Sequence, residues 1–265
     1  MINRQSTIDN RQSLWHFWLD SSPRPGWQNM AIDTALLDLA AESGRATLRL
    51  YRWQPFCLSL GRHEPALRRY GRDRIAALGV DVVRRPTGGR AVWHARELTY
   101  AVAAPASGTL REAYRGIHSL FVAAIRSLGA EASLAPEPRR VPGPADGACF
   151  AAPVGGEVLV RGRKVLGSAQ LRQSSAFLQH GSLLLEDDQH LVHQLAGEAG
   201  DVAPELPLSR AVGRRIEFEE AAHAVERAAV DWTGPWRPLG DPTAVLERAN
   251  RHAARFRSTE WTWER

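Results

Sequence analysis

Four stretches of this chain hold residues whose types could do chemistry. The first is RRPTGGRAVWH, Arg84 to His94. Adjacent Gly88 and Gly89 leave the backbone open, so its N–H groups can approach a ligand closely. Arg84, Arg85 and Arg90 around them suit a phosphate or a carboxylate. A strand-to-strand turn with solvated arginines is the plainer alternative. The segment lacks the Gly-Lys-Ser/Thr ending of a P-loop and the glycine spacing of a dinucleotide fingerprint. The second candidate is Cys149, in GACF directly after a Pro- and Gly-rich loop. A free thiol ionises near pH ~8.5, so a nucleophilic cysteine needs a cation beside it. The third is GRKVLGSAQ, 162–170. Lys164 opens a strand there, and Gly167, Ser168 and Ala169 are small, as expected where a ligand or another backbone lies close. Cys149 and Lys164 together offer a nucleophile and a cationic activator, an arrangement suited to acyl transfer. Spacing permits them to meet and does not require it. The fourth is LQHGSLLL, 178–185, where His180 before Gly181 is either an acid–base group or a histidine satisfied within a sheet. Cys57, between Phe and Leu, reads as a small core residue.

Lys164 stands out for a second reason. It is the only lysine among the 34 basic residues; the others are arginine. Arginine neither loses its proton nor fits as a compact donor, so a lysine kept in such a chain is either a chance survivor or a position where arginine fails. The net charge of +5 suits an acidic partner. The arginines are scattered rather than interleaved with aromatics on one face, which argues against nucleic acid. Two cysteines make no disulfide framework. The N-terminus is polar and no apolar run approaches a membrane span, so a cytoplasmic, membrane-free protein is expected.

The elements that must position these residues can be read from pattern. Residues 1–13 read as a flexible arm and 14–265 as a single domain. A helix is expected over Trp27–Ser43, stopped by Gly44, followed by strands at 46–53 and 57–60. Residues Pro65–Leu78 read as one helix and 80–85 as a strand. Residues 91–105 read as strand with a break near His94. Tyr114, Ile117, Phe121, Ala124 and Leu128 form one stripe of a helix over 110–128. A loop, 135–147, leads to a hairpin turning at Arg161–Gly162–Arg163, then to a strand through His180. From about 187 to 265 the chain reads as a helical portion, with segments near 188–196, 217–231 and 242–256. The mixture without strict strand–helix alternation predicts an α/β (α+β) protein, a mixed sheet flanked by helices.

Taken in order, NMAIDTALL (29–37), RLYRWQPFCLSLG (49–61), RRPTGGRAVWHARELTYAV, RKVLGSAQLRQ and LQHGSLLL resemble the biotin/lipoate protein ligase and lipoyl/octanoyl transferase superfamily. The resemblance runs from about Asn29 to Trp263. It is strongest to the cysteine-dependent octanoyltransferases of the Gram-positive type, on the Cys-Phe after the long loop, the Gly-Ser-Ala-Gln after the lysine, and the tail FRSTEWTW. It implies the catalytic-domain fold of biotin/lipoate ligases. It implies a Cys149 nucleophile that takes octanoate from octanoyl-acyl carrier protein and passes it to the lysine of a lipoyl-domain protein such as glycine-cleavage H protein. Lys164 would hold the acyl carbonyl and favour the thiolate. Arg85, Thr87, Gly88, Gly89, Arg90, Ala91, His94, Gly167, Ser168, Ala169, His180 and Gly181 would line the acyl site. No metal, no cofactor and a monomer are implied. One residue departs from the pattern: the family's His is followed by Asp, whereas Ala95 and Arg96 follow His94, with Glu97 the nearest carboxylate. The alternatives are an ATP-dependent lipoate ligase, for which no cysteine nucleophile is required, and an amidotransferase between lipoyl domains.

Overall fold

The structure, a computed structural model, describes residues 14–136, 155–186, 189–197 and 205–264. In chain order the elements are β1 (Trp15–Arg24), α1 (Gly26–Ser43), β2 (Ala46–Trp53), β3 (Cys57–Leu60), α2 (Ala66–Arg69), α3 (Arg72–Ala77), β4 (Asp81–Arg84), β5 (Val92–His94), β6 (Glu97–Pro105) and α4 (Leu110–Ser127). They continue with β7 (Ala132–Leu134), β8 (Val158–Val160), β9 (Arg163–Gln173), β10 (Ala176–Leu184), α5 (His190–Ala196), α6 (Leu208–Val212), α7 (Phe218–Trp232), β11 (Trp236–Pro238), α8 (Thr243–Asn250), α9 (Ala253–Arg257) and α10 (Thr259–Trp263). The eight-stranded sheet has the order β11-β1-β2-β6-β10-β9-β8-β7, and β4-β3-β5 form a second, smaller one. β1 runs parallel to both β2 and β11, and the remaining pairs of the large sheet are antiparallel. This is the mixed sheet with flanking helices that the pattern predicts.

Both faces of the large sheet are covered, so its central strands are apolar on both sides. Leu48 and Leu50 of β2, with Leu98, Tyr100 and Val102 of β6, pack on one face against Ile117, Phe121 and Val225 of α4 and α7. Tyr51 and Trp53 with Ala101 and Ala103 point the other way, against α1, α8 and α9. α1 is therefore buried nearly all round and shows no polar stripe. Gly44 ends it at φ 71, a conformation that suits glycine. α4 is amphipathic and starts in a capping box between Thr109 and Glu112.

A buried ion cluster fastens α1 to the sheet. The Arg49 guanidinium, with no exposed surface, donates to Asp20 Oδ2 at 2.7 Å, Asp33 Oδ1 at 2.9 Å and Asn29 Oδ1 at 2.7 Å. It also lies 3.9 Å from the Tyr51 ring centroid.

Several elements depart from expectation. The stretch 65–78 forms two short helices, because Tyr70 is extended (φ −124, ψ 131) and its buried hydroxyl donates to Glu64. The break near His94 separates two sheets: β5 belongs to the small one and β6 to the large one. β1 and β7 had no counterpart in the pattern. β11 lies between two of the expected helical segments; it has three residues and pairs with β1. Residues 1–13 fall outside the described residues.

Arg49→Ala takes the arginine from buried Asp33 and leaves Asp20 with Arg24 alone. Loss of one partner of such a pair costs about 3–5 kcal/mol; urea unfolding should show the drop as a lower midpoint.

Candidate active site

The Gly-Gly loop connects β4 to β5 and is held from inside the protein. Arg85 is buried; its Nη1 donates to Ser59 O at 2.8 Å and Ser59 Oγ at 2.6 Å, and its Nη2 to Gly88 O at 3.2 Å and Arg90 O at 2.7 Å. The Arg62 amide donates to Thr87 O at 2.8 Å. Gly89 has φ 89, and its carbonyl lies where a Cβ on Gly61 would be, 1.7 Å away. A Cβ on Gly88 would meet nothing within 4 Å. So Gly61 permits the loop to close on β3, while Gly88 faces open space. Ala91 is buried with Leu58 and Leu60. Arg84 faces inward as well: Nε donates to the Trp261 and Thr262 carbonyls and Nη1 to the Gly61 and Glu64 carbonyls.

Two buried histidines brace this loop. His180 Nε2 is 2.7 Å from Thr87 Oγ1, and its Nδ1 is 2.9 Å from Asp33 Oδ2. Burial pushes the His180 imidazole below its ordinary range, offset in part by Asp33. The neutral ring then donates Nδ1–H to Asp33, and the Thr87 hydroxyl donates to Nε2. Tyr51 donates to the same carboxylate oxygen at 2.9 Å. His94 stacks on Trp53 at 4.0 Å, contacts Ser59 Oγ at 2.6 Å and lies 2.6 Å from Glu97 Oε1. Glu97 thus brings a carboxylate to His94 where Ala95 brings none; Ser182 also donates to it, at 2.9 Å.

Register brings two of the sequence segments face to face. Across β9 and β10, Gly167 opposes Ser182, Ser168 opposes Gly181 and Ala169 opposes His180. A Cβ on Gly181 would lie 2.3 Å from Gly167 O and 2.8 Å from the Tyr100 ring, so no larger residue fits. Lys164 sits one strand turn earlier on β9, 7% exposed, and donates to Glu157 Oε1 at 2.6 Å. Cys149 lies outside the described residues.

A hydrogen-bond chain runs beside that ion pair, and its direction can be deduced. His118 Nδ1 is 2.8 Å from Gly156 O, and a carbonyl only accepts, so Nδ1 carries the hydrogen. Nε2 of the neutral ring must then accept from Ser168 Oγ at 2.8 Å, and Ser168 Oγ must accept from Tyr100 OH at 2.8 Å. Tyr100 OH accepts from Gln179 Nε2 at 2.7 Å, and Gln179 Oε1 accepts from Gln170 Nε2 at 2.8 Å. Burial pushes His118 down to about 3; the bond to Gly156 opposes the shift and the Lys164 charge adds to it.

The model for the lipoyl protein ligase A/B catalytic domain matches residues 25–229. The chain is 33% identical to octanoyltransferase LipM of Geobacillus kaustophilus over 96% of its length and 99% of that protein's. It is 38% identical to LipM of Symbiobacterium thermophilum, covering 89% and 91%. The chain belongs to the lipoyl protein ligase A/B catalytic-domain family. Solved relatives share the fold of this catalytic domain: lipoate-protein ligase A bound with ATP at TM-score 0.73 and 18% identity, covering 94% of this chain and 98% of that one, and the bipartite lipoate protein ligase of Thermoplasma acidophilum, also at 0.73 and 18%, covering 95% and 96%.

In this catalytic domain the pattern missed Asp33, Glu157, His118 and Tyr100. Asp33 had a signal, a charged residue set among the apolar Met30, Ile32, Leu36 and Leu37 of its helix. His118 had a weaker one, a histidine next to the apolar stripe of α4. Among the described residues no helix is long and apolar enough to cross a membrane, and no group of three or more His, Cys, Asp or Glu could hold a metal ion.

Two outcomes are expected. Gly61→Ala forces its Cβ onto the Gly89 carbonyl and should destabilise the fold and displace the loop, read as a lower melting temperature and reduced activity. The second concerns pH. The unfolded chain protonates His118 and His180 near 6.5 whereas the folded chain resists, so stability is full above about pH 6.5 and falls as pH drops toward 3. Melting curves between pH 7 and 4 should show that decline, and His118→Gln should remove part of it.

Proposed function

We propose that this protein is an octanoyltransferase that takes octanoate from octanoyl-acyl carrier protein onto Cys149 and passes it to the lysine of a lipoyl-domain protein, such as a glycine-cleavage H protein. The observation that carries the reading is end-to-end similarity to octanoyltransferases. The chain's single lysine, buried within the sheet, gives it a physical footing.

In the first half, the Cys149 thiolate attacks the thioester carbonyl. A new C–S bond forms, the carrier's C–S bond breaks, and the carrier leaves as its thiol after taking a proton. In the second half, the neutral amine of the acceptor lysine attacks the acyl-enzyme. The amide C–N bond forms, the bond to Cys149 breaks, and the amine gives up a proton. A thioester donor is already activated, so no ATP is consumed, and dividing the transfer into two displacements is ordinary covalent catalysis.

Lys164 serves as the compact cation that favours the thiolate and steadies the acyl carbonyl. The Thr87–Gly88–Gly89 backbone lines the acyl site, with the open space at Gly88 on the substrate side. Arg85, Arg90, Ala91, His94, Gly167, Ser168, Ala169, His180 and Gly181 complete its wall. Oxyanion stabilisation from one such donor is worth roughly 100- to 1000-fold in rate. The positive net charge steers acidic carrier and lipoyl domains toward the site. The protein acts in the cytoplasm, as a monomer and without cofactor, as the sequence suggests.

The test is intact-mass analysis after mixing the protein with octanoyl-acyl carrier protein in the absence of ATP. One octanoyl adduct is expected, labile to hydroxylamine and lost in Cys149→Ser. Modification of a lipoyl domain only by free octanoate or lipoate with ATP indicates the ligase instead. Transfer only from an octanoylated lipoyl domain indicates the amidotransferase.

A further inference from the structure

Glu157 lies outside every motif that marks the site, yet it is the carboxylate against which Lys164 is packed. Both side chains are buried, at 4% and 7% exposure, and Lys164 Nζ to Glu157 Oε1 is 2.6 Å. A buried ammonium is costly without a counter-charge. An ammonium also rotates freely about its last C–N bond, and a carboxylate that takes one N–H fixes the cone on which the others point.

The backbone around Glu157 is built to hold that carboxylate still. The Ala135 amide donates to the Glu157 carbonyl at 2.7 Å, and the Gly156 amide donates to the Ala135 carbonyl at 3.0 Å. The Gly156 carbonyl accepts His118 Nδ1–H, at the end of the chain from Gln170 through Ser168. Gly156 itself sits at φ 88, which turns the chain so that residue 157 enters β8 with its side chain toward β9. The register between β8 and β9 shifts between Val158 and Leu159, next to the same pair. These features converge on the Glu157 carboxylate.

We infer that Glu157 is the positioning residue that aims and counter-charges the Lys164 ammonium, and thereby governs the rate of acyl transfer to the enzyme rather than the binding of the acyl donor. The inference rests on the acyltransferase reading. Glu157 acts through Lys164 and exchanges no proton with substrate.

The experiment is single-turnover acyl-enzyme formation from octanoyl-acyl carrier protein, followed by intact mass across donor concentrations. Misplacing a reacting group by about an ångström costs on the order of 100-fold in rate. Glu157→Gln is therefore expected to slow the maximal rate by about that factor, with half-saturation changed less than about threefold. Glu157→Asp, which keeps the charge and withdraws it by one methylene, should lie between the two. In a Lys164→Gln background, Glu157→Gln should add little further loss, because two residues acting as one unit are not additive. A full additional loss there, or a Glu157→Gln variant at the wild-type rate, overturns the role assigned to Glu157. If Glu157→Gln does not fold, a Glu157→Asp variant at the wild-type rate overturns it equally. No adduct on the wild-type protein overturns the acyltransferase reading and this inference together, whereas an adduct with an indifferent Glu157 overturns only the latter.

Discussion

The fold depends on one buried carboxylate. Asp33 sits on α1, between the large sheet and the helices that cover it, and it has no exposed surface. It accepts from Arg49 and Tyr51 of β2 and lies against His180 of β10. The polar residues of α1 are spread round it rather than gathered in one stripe, so apolar burial alone gives it little reason to choose one rotation about its axis. The ion pair chooses it. The same group fixes the His180 tautomer, which in turn takes the Thr87 hydroxyl. A residue in the first helix thus sets the position of a loop more than fifty positions later.

Around that anchor the buried polar groups fall into three networks with separate tasks. Asp33, His180 and Thr87 hold the Gly-Gly loop from the sheet side. Arg85, Ser59 and His94, backed by Glu97 of β6, hold it from the small sheet. Glu157, His118, Ser168 and Tyr100 organise the surroundings of Lys164. Each sets one or two buried charged groups, Asp33, Arg85 with Glu97, and Glu157 with Lys164, among neutral donors and acceptors that restrict their geometry. His118 and His180, both pushed down by burial, are structural in this sense. Cys57 likewise remains a thiol, because burial in β3 raises it well above its ordinary range.

Much of this was readable in the sequence, for physical reasons. The glycine stop of α1, the apolar stripe of α4 and the turn at Arg161–Gly162 are local, and local rules describe them. The pairing of Gly167–Ala169 with His180–Gly181 follows once a hairpin is drawn, since register is exact to one residue. Other features depend on distant partners. β11 is three residues long and exists because β1 offers an edge. The break between α2 and α3 falls at Tyr70 and Gly71, where Tyr70 reaches Glu64; the glycine is a local signal and the bond to Glu64 is not. Glu157 meets Lys164 through a register shift. Arg85 reads as a solvated anion binder by type, yet it is turned inward onto the loop carbonyls.

The inward turn of Arg84 bears on the order in which the molecule can assemble. Its guanidinium closes on the Trp261 and Thr262 carbonyls, 177 and 178 residues further along, and the Trp261 indole returns a bond to the Arg84 carbonyl. On a ribosome, every strand of the large sheet emerges before that clasp can form. The loop it adjoins can therefore take its final shape only once residues 261 and 262 have been made, behind all the described strands of that sheet. A nascent chain that has made every described strand still lacks the two carbonyls that hold Arg84 beside that loop.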